Sequence, residues 1–102
     1  MTRLVVSADA ATDIHDVLDY LEKEAGASVA KEYGLKFRIC IELLVAFPRL
    51  GPRRPALGAD ARIRVVPPYV LIYDFMGADD TVTLLRVVHG KRNITRRMIR
   101  SG

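Results

Sequence analysis

From Ala8 to Ala25 the apolar residues Ala11, Ile14, Val17, Leu18, Leu21 and Ala25 recur three or four positions apart. That spacing draws a single stripe along an α-helix. Asp9, Asp13, Asp16 and Asp19 fall on the outer side of the same helix. Ser7 stands where a helix cap is needed, and Asp9 lies near the positive helix end. Residues 3–7 before it read as a short strand. Gly26 suits the left-handed turn that stops a helix. A second helical pattern, with Val29, Tyr33, Phe37, Cys40, Ile41, Leu44 and Phe47 on its apolar positions, runs from a cap at Ser28 to about Phe47. Gly34 weakens that helix by up to about 1 kcal/mol relative to alanine. Pro48 ends it by forcing the preceding residue out of helical geometry. Helices joined by so short a turn form an antiparallel hairpin.

After a loop rich in Pro, Gly and Arg at residues 48–60, the period changes to that of strands. Residues 61–66 alternate, with Arg62 and Arg64 expected outward and Ile63 and Val65 inward. Residues 69–76 are nearly all apolar, as in a central strand. Gly77-Ala78-Asp79-Asp80 is a hairpin turn, and residues 81–89 form the last strand. Pro67 and Pro68 separate the first two runs, because neither can donate to a sheet interior. The order strand, helix, helix, three-strand meander predicts a two-layer α+β domain. A helical hairpin covers one face of a small, mainly antiparallel sheet, and the other face is left for a partner. Residues 93–102 form a basic tail, either a short helix or a mobile end.

At 102 residues the chain has room for one core, so residues 1–102 are read as a single domain. Half of the residues are hydrophobic and 27% are charged, a globular balance. No apolar run is long enough for a membrane helix, and the first residues lack a signal-peptide pattern. Cys40 reads as a small core residue suited to a reducing cytoplasm. One Cys and two distant His cannot make a structural zinc site, so neither metal nor cofactor is expected. Charge changes the picture more. Residues 1–47 carry five basic and eight acidic residues, a net of −3. Residues 48–102 carry eleven basic and four acidic residues, a net of +7. A basic face of this kind suits nucleic acid, a nucleoprotein machine or an acidic protein partner.

The most informative stretch is Leu85-Arg86-Val87-Val88-His89-Gly90-Lys91-Arg92-Asn93. It is an apolar strand that turns at His-Gly into an acid-free basic segment. With Phe47-Pro48-x-x-Gly51-x-x-Arg54 and Tyr69-x-x-x-Tyr73, in this order, it resembles the RelE/ParE superfamily of bacterial toxins from Leu4 to about Ile94. The wording of the last strand is more similar to the ParE-like subgroup. The resemblance implies a cytoplasmic toxin of a type II toxin–antitoxin pair, neutralised by a cognate antitoxin. RelE-like members cut messenger RNA on the ribosome without metal, whereas ParE-like members poison DNA gyrase.

Chemistry separates the two mechanisms. Metal-free RNA cleavage needs a base for the 2′-hydroxyl, an acid for the leaving oxygen and cations for the transition state. Beside the RelE-like pattern, Arg62 and Arg64 match the basic pair before the central strand, and Arg92 matches the Arg after the corner. Val70 replaces the strand Arg, and Met98 replaces the tail Tyr. Phosphate-binding charge is kept while proton-transfer groups are lost. The expected target-binding set is therefore Arg62, Arg64, Arg86, Lys91 and Arg92, with no catalytic residue; the loop residues Arg49, Arg53 and Arg54 either extend the patch or pair with helix acids. The alternative is a ribosome-dependent endonuclease using His89 with Arg64 and Arg92, or an inactive relative retained for autoregulation. His15, on the acidic helix, is expected at the surface, and Tyr69 and Tyr73 share one face of their strand. An acidic, flexible antitoxin segment would cover both an apolar groove and the cationic face.

Overall fold

The computed structural model describes residues 1–100; Ser101, Gly102 and the Arg100 side chain lie outside the described part. The elements are β1 (Arg3–Val6), α1 (Ala8–Ala25), α2 (Ala27–Ala46), β2 (Ala61–Val66), β3 (Tyr69–Met76), β4 (Thr81–His89) and α3 (Arg96–Arg100). The four strands form one sheet in the order β1-β4-β3-β2. β1 runs parallel to β4, and the other two pairings are antiparallel. The expected α+β architecture, a helical hairpin on a mostly antiparallel sheet, is the one observed.

Local chemistry explains the boundaries. Ser7 Oγ accepts the Ala10 N–H at 3.0 Å and also donates to the Leu85 carbonyl at 2.9 Å. One hydroxyl therefore caps α1 and ties its start to β4. Gly26, at φ +98°, ends α1 and caps α2 with its own backbone. The cap expected at Ser28 is thus displaced: Gly26 alone makes the turn, α2 starts at Ala27, and Ser28 falls inside the first helical turn. Gly34 faces Leu18 across the hairpin, eight residues either side of Gly26, as antiparallel packing requires. The α2 helix ends at Ala46, one residue before the expected Phe47.

The main core lies between the hairpin and the sheet. It joins Phe37, Cys40 and Leu44 of α2 to Tyr69, Leu71, Tyr73, Val82, Leu84 and Val87. Tyr69 and Tyr73 are core residues on the same sheet face, as their spacing implies. Cys40 is buried, and burial pushes its thiol up despite the opposing field of Arg64.

The far face of the sheet is not left open. Val70, Ile72 and Val88 form a second cluster, covered by Leu57 and Ile63 and by Ile94, Met98 and Ile99 from the C-terminal segment. Within the tail, Arg96–Arg100 form α3, and Ile94, Met98 and Ile99 close this face. Two covered faces make alternation a poor guide to inside and outside. Register puts Arg62 opposite Tyr73 and Arg64 opposite Leu71. Both arginines therefore lie on the helix-facing side of edge strand β2. Ile63 and Val65 point to the other side, where Val65 remains 51% exposed. The expected outward arginines and inward valine are reversed: the arginines share the hairpin side with the core residues Leu71 and Tyr73, and Val65 lies on the opposite side of edge strand β2.

Candidate functional site

The loop 48–60 is built around Tyr73. Its fully buried hydroxyl donates to the Pro48 carbonyl at 2.8 Å and accepts the Gly51 N–H at 2.9 Å. Gly51 passes so close to the Ile63 carbonyl that a Cβ there would lie 2.2 Å away. Glycine is required at that position by close approach of two backbones. The Phe47-Pro48-x-x-Gly51 motif is therefore a device for seating this loop against β2 and β3. Arg62 completes it, donating from Nη1 to the Gly51 carbonyl at 2.8 Å and the Arg49 carbonyl at 3.2 Å.

From there the loop pairs with the outer edge of β2. Arg54 N donates to Ala61 O at 2.8 Å, and Ile63 N donates to Pro52 O at 3.1 Å, which sets Arg53 directly across from Arg62. Arg64, beyond this pairing, lies beside a groove between α2 and β2 of about 330 Å³, lined by Lys36, Ile39, Cys40, Leu43 and Val66 as well. Arg62 and Arg64 follow one another on one face, about 7 Å apart along the strand. Their positive fields both reach the Tyr73 hydroxyl, whose pKa is nevertheless raised, mainly by burial.

At the other end of the sheet, Gly90 N donates to Pro68 O at 2.7 Å and forms the corner after β4. A Cβ on Gly90 would come within 3.1 Å of that carbonyl. Lys91 and Arg92 follow the corner and are exposed. Among the described residues, none of Arg62, Arg64, Lys91 and Arg92 makes a salt bridge.

Arg86, expected with them, is elsewhere. It is turned inward at 12% exposure, forks onto the Asp13 carboxylate at 2.7 and 3.1 Å, and donates to the Met98 carbonyl at 2.9 Å. A β-bulge in the β3–β4 register pairs it with Ile72 of the second cluster, and from there it meets Asp13 at the edge of β4, where the same carboxylate accepts the Val87 N–H. The sequence signal for this was available: Asp13 is an acid on the otherwise solvent-facing side of α1, and Arg86 interrupts an apolar strand.

His89 packs edge-on against Tyr69, ring centroids 5.8 Å apart, and its Nδ1 accepts the Lys91 N–H at 3.1 Å. Its ring nitrogen thus accepts the backbone N–H just past the Gly90 corner. Register aligns His89 with Tyr69 and Val66, and sets Arg64 in the next same-face row, two strands away. The His89 and Arg64 Cα positions are therefore about 12 Å apart. Tyr69 also packs against Tyr33 and Phe37, so aromatic rings occupy the surface between them. With Nδ1 accepting, the neutral ring carries its proton on Nε2, and the basic lone pair is engaged. Val70 and Met98 both pack in the second cluster. His15 is exposed on α1. Among the described residues, no helix is long and apolar enough to cross a membrane.

Comparison with known proteins agrees with this geometry. The fold is similar to that of the chromosomal ParDE toxin–antitoxin system from P. aeruginosa, with a TM-score of 0.73 at 19% identity over 87% of this chain and 96% of that one. It is also similar to the isolated E. coli RelE toxin, with a TM-score of 0.59 at 15% identity over 91% and 88% of the two chains. The intact E. coli RelBE toxin–antitoxin complex gives 0.58 at 16% identity, over 90% and 100%. No curated protein sequence matches the chain. Residues 4–94 match the family described as the ParE toxin of the type II toxin–antitoxin system parDE, and the chain belongs to that family.

Proposed function

We propose that this chain is the toxin of a type II pair, that it acts in the cytoplasm by poisoning DNA gyrase, and that a cognate antitoxin silences it. The carrying observation is what surrounds the cations. Arg62 and Arg64 on β2, and Lys91 and Arg92 after β4, present positive charge without salt-bridge partners among the described residues. The groups that would move protons beside them are missing or engaged. Val70 and Met98 are apolar packing residues, and the His89 lone pair is held by Lys91 N–H. Such a surface holds a polyanion or a nucleoprotein and leaves the bond chemistry to the target enzyme. A gyrase poison works in that way, by holding an intermediate of another enzyme's cycle.

The antitoxin reading rests on the groove beside Arg64. Ile39, Leu43 and Val66 give it an apolar lining, and Lys36 and Arg64 give it positive charge. An acidic amphipathic segment satisfies both at once.

The test is purified protein added to gyrase, ATP and supercoiled plasmid, beside a translating ribosome system read by primer extension. Accumulation of linear plasmid with intact messages is the expected result. Message cleavage that disappears in His89→Ala, with gyrase unaffected, would replace this reading with the endonuclease one.

A further inference from the structure

The loop that pairs with β2 brings together a set of arginines that its own fold does not neutralise. Arg53 and Arg62 form a bridge flanked by two backbone hydrogen bonds, the narrow type of antiparallel pair. In such pairs the Cβ atoms approach to about 5 Å, and like charges placed opposite one another repel. Arg49 joins them in one pocket of about 190 Å³ that also touches Phe75, Gly77 and Asp60. Its guanidinium is stacked over the Phe75 ring, 4.9 Å from the centroid. Arg53 Nη2 donates to the Ala59 carbonyl at 2.8 Å, and Arg62 Nη1 is held by the Arg49 and Gly51 carbonyls. Each side chain is thus fixed by neutral partners that spend only part of its five N–H donors. Asp60 lines the pocket, yet among the described residues it makes no salt bridge with any of the three.

We propose that Arg49, Arg53 and Arg62 bind one phosphate-class oxyanion in this pocket. Planar, preoriented guanidinium groups match tetrahedral oxyanions, and the bonds formed are charge-assisted. The volume is below the roughly 300 Å³ at which pockets for drug-sized ligands begin, so the ligand is a single small anion or one phosphate of a longer chain. An anion between Arg53 and Arg62 also removes the repulsion that the strand pairing creates. The inference goes beyond the gyrase reading, since neither its logic nor its test involves gyrase.

The experiment titrates inorganic phosphate into the purified chain at constant ionic strength, followed by calorimetry and backbone amide shifts. A second arm measures the salt dependence of binding to a short DNA duplex. Arg62 is left intact because it holds the loop. The double variant Arg49→Gln/Arg53→Gln should weaken phosphate binding by about tenfold or more, the scale of a lost charge-assisted bond. Asp60→Asn, which keeps the fold and removes the one carboxylate, should tighten it. If the natural source is a nucleic-acid backbone, the double variant also lowers the slope of log K against log salt by about 0.9, one phosphate. If the source is a free anion, that slope stays constant while phosphate saturates. Absence of saturable phosphate binding, with Asp60→Asn and the duplex slope both without effect, overturns the proposal.

Discussion

Asp13 and Arg86 meet carboxylate to guanidinium at 2.7 and 3.1 Å although 73 residues separate them in the chain. The same carboxylate accepts the Val87 N–H at 2.9 Å, and the same guanidinium holds the Met98 carbonyl. One ion pair therefore fastens α1, β4 and α3 together. The side chains are only 16% and 12% exposed, so water screens the pair little.

Removing one partner leaves the other charge stranded. Arg86→Ala or Asp13→Ala should each cost about 3 kcal/mol, measured by denaturant unfolding. The double variant should cost clearly less than the two added together, because the two side chains act as one unit. Additive losses would show that the pair is not coupled.

Tyr73→Phe keeps the ring and deletes the hydroxyl that serves both Pro48 and Gly51. The expected loss is about 1–3 kcal/mol, with faster trypsin cleavage at the loop arginines. High pH provides a second readout. Burial raises the Tyr73 and Tyr69 hydroxyl pKa values above their ordinary 10.0. Ionisation is then easier in the unfolded chain, so stability is full below pH 10 and falls as pH rises through the folded values. Tyrosinate absorbance should grow together with unfolding, and Tyr73→Phe should reduce the alkaline loss.

Gly34 sits in the middle of α2, where an added methyl would lie 3.7 Å from Leu18, an ordinary contact. Gly34→Ala should therefore raise stability by about 0.5–1 kcal/mol and leave toxicity unchanged. A lower melting temperature would mean that the hairpin cannot take the methyl.

Asp74 carries a pKa raised by burial first and by Asp60 second. A folded value above the unfolded 3.8 means that the favourable contribution is full in acid and lost as pH rises through the folded value. At neutral pH the ionised Asp74 is therefore a burden. Asp74→Asn should stabilise the protein at pH 7 by on the order of 0.5 kcal/mol and flatten its acid profile.

Arg64→Glu with Arg92→Glu reverses one half-buried and one exposed charge, neither of which makes a salt bridge among the described residues. Cell killing should be lost while the melting temperature moves by less than about 1 kcal/mol equivalent. Undiminished killing would remove the cationic surface from the mechanism.

Period and punctuation made most of the fold legible. The 3.6-residue stripe of α1, the stop at Pro48 and the hairpin turn at Gly77–Asp80 are local signals, and all stand in the structure. The side of the sheet on which Arg62 and Arg64 lie was not legible. Alternation reports two faces without saying which is covered, and here both are. Arg86 could be seen as a cation interrupting an apolar strand, but which face it takes depends on a bulge that one strand alone cannot reveal. The Arg53–Arg62 bridge depends on where a thirteen-residue loop folds back, at residues 48–60, and that is set by Tyr73, a residue read from the sequence only as sharing a strand face with Tyr69.

Pairing of the loop with β2 has a consequence for solubility. On the outward edge, Ala61 O and Ile63 N are already taken by Arg54 N and Pro52 O, and Ala61 N by Gly58 O. Beyond them only Arg64–Val66 remain before Pro67 and Pro68 end the strand. A border this short, with arginine on one side of it, is a poor template for endless strand addition. At that margin of the sheet, copies of the molecule have little to zip onto, so crowding should not drive them into fibres there.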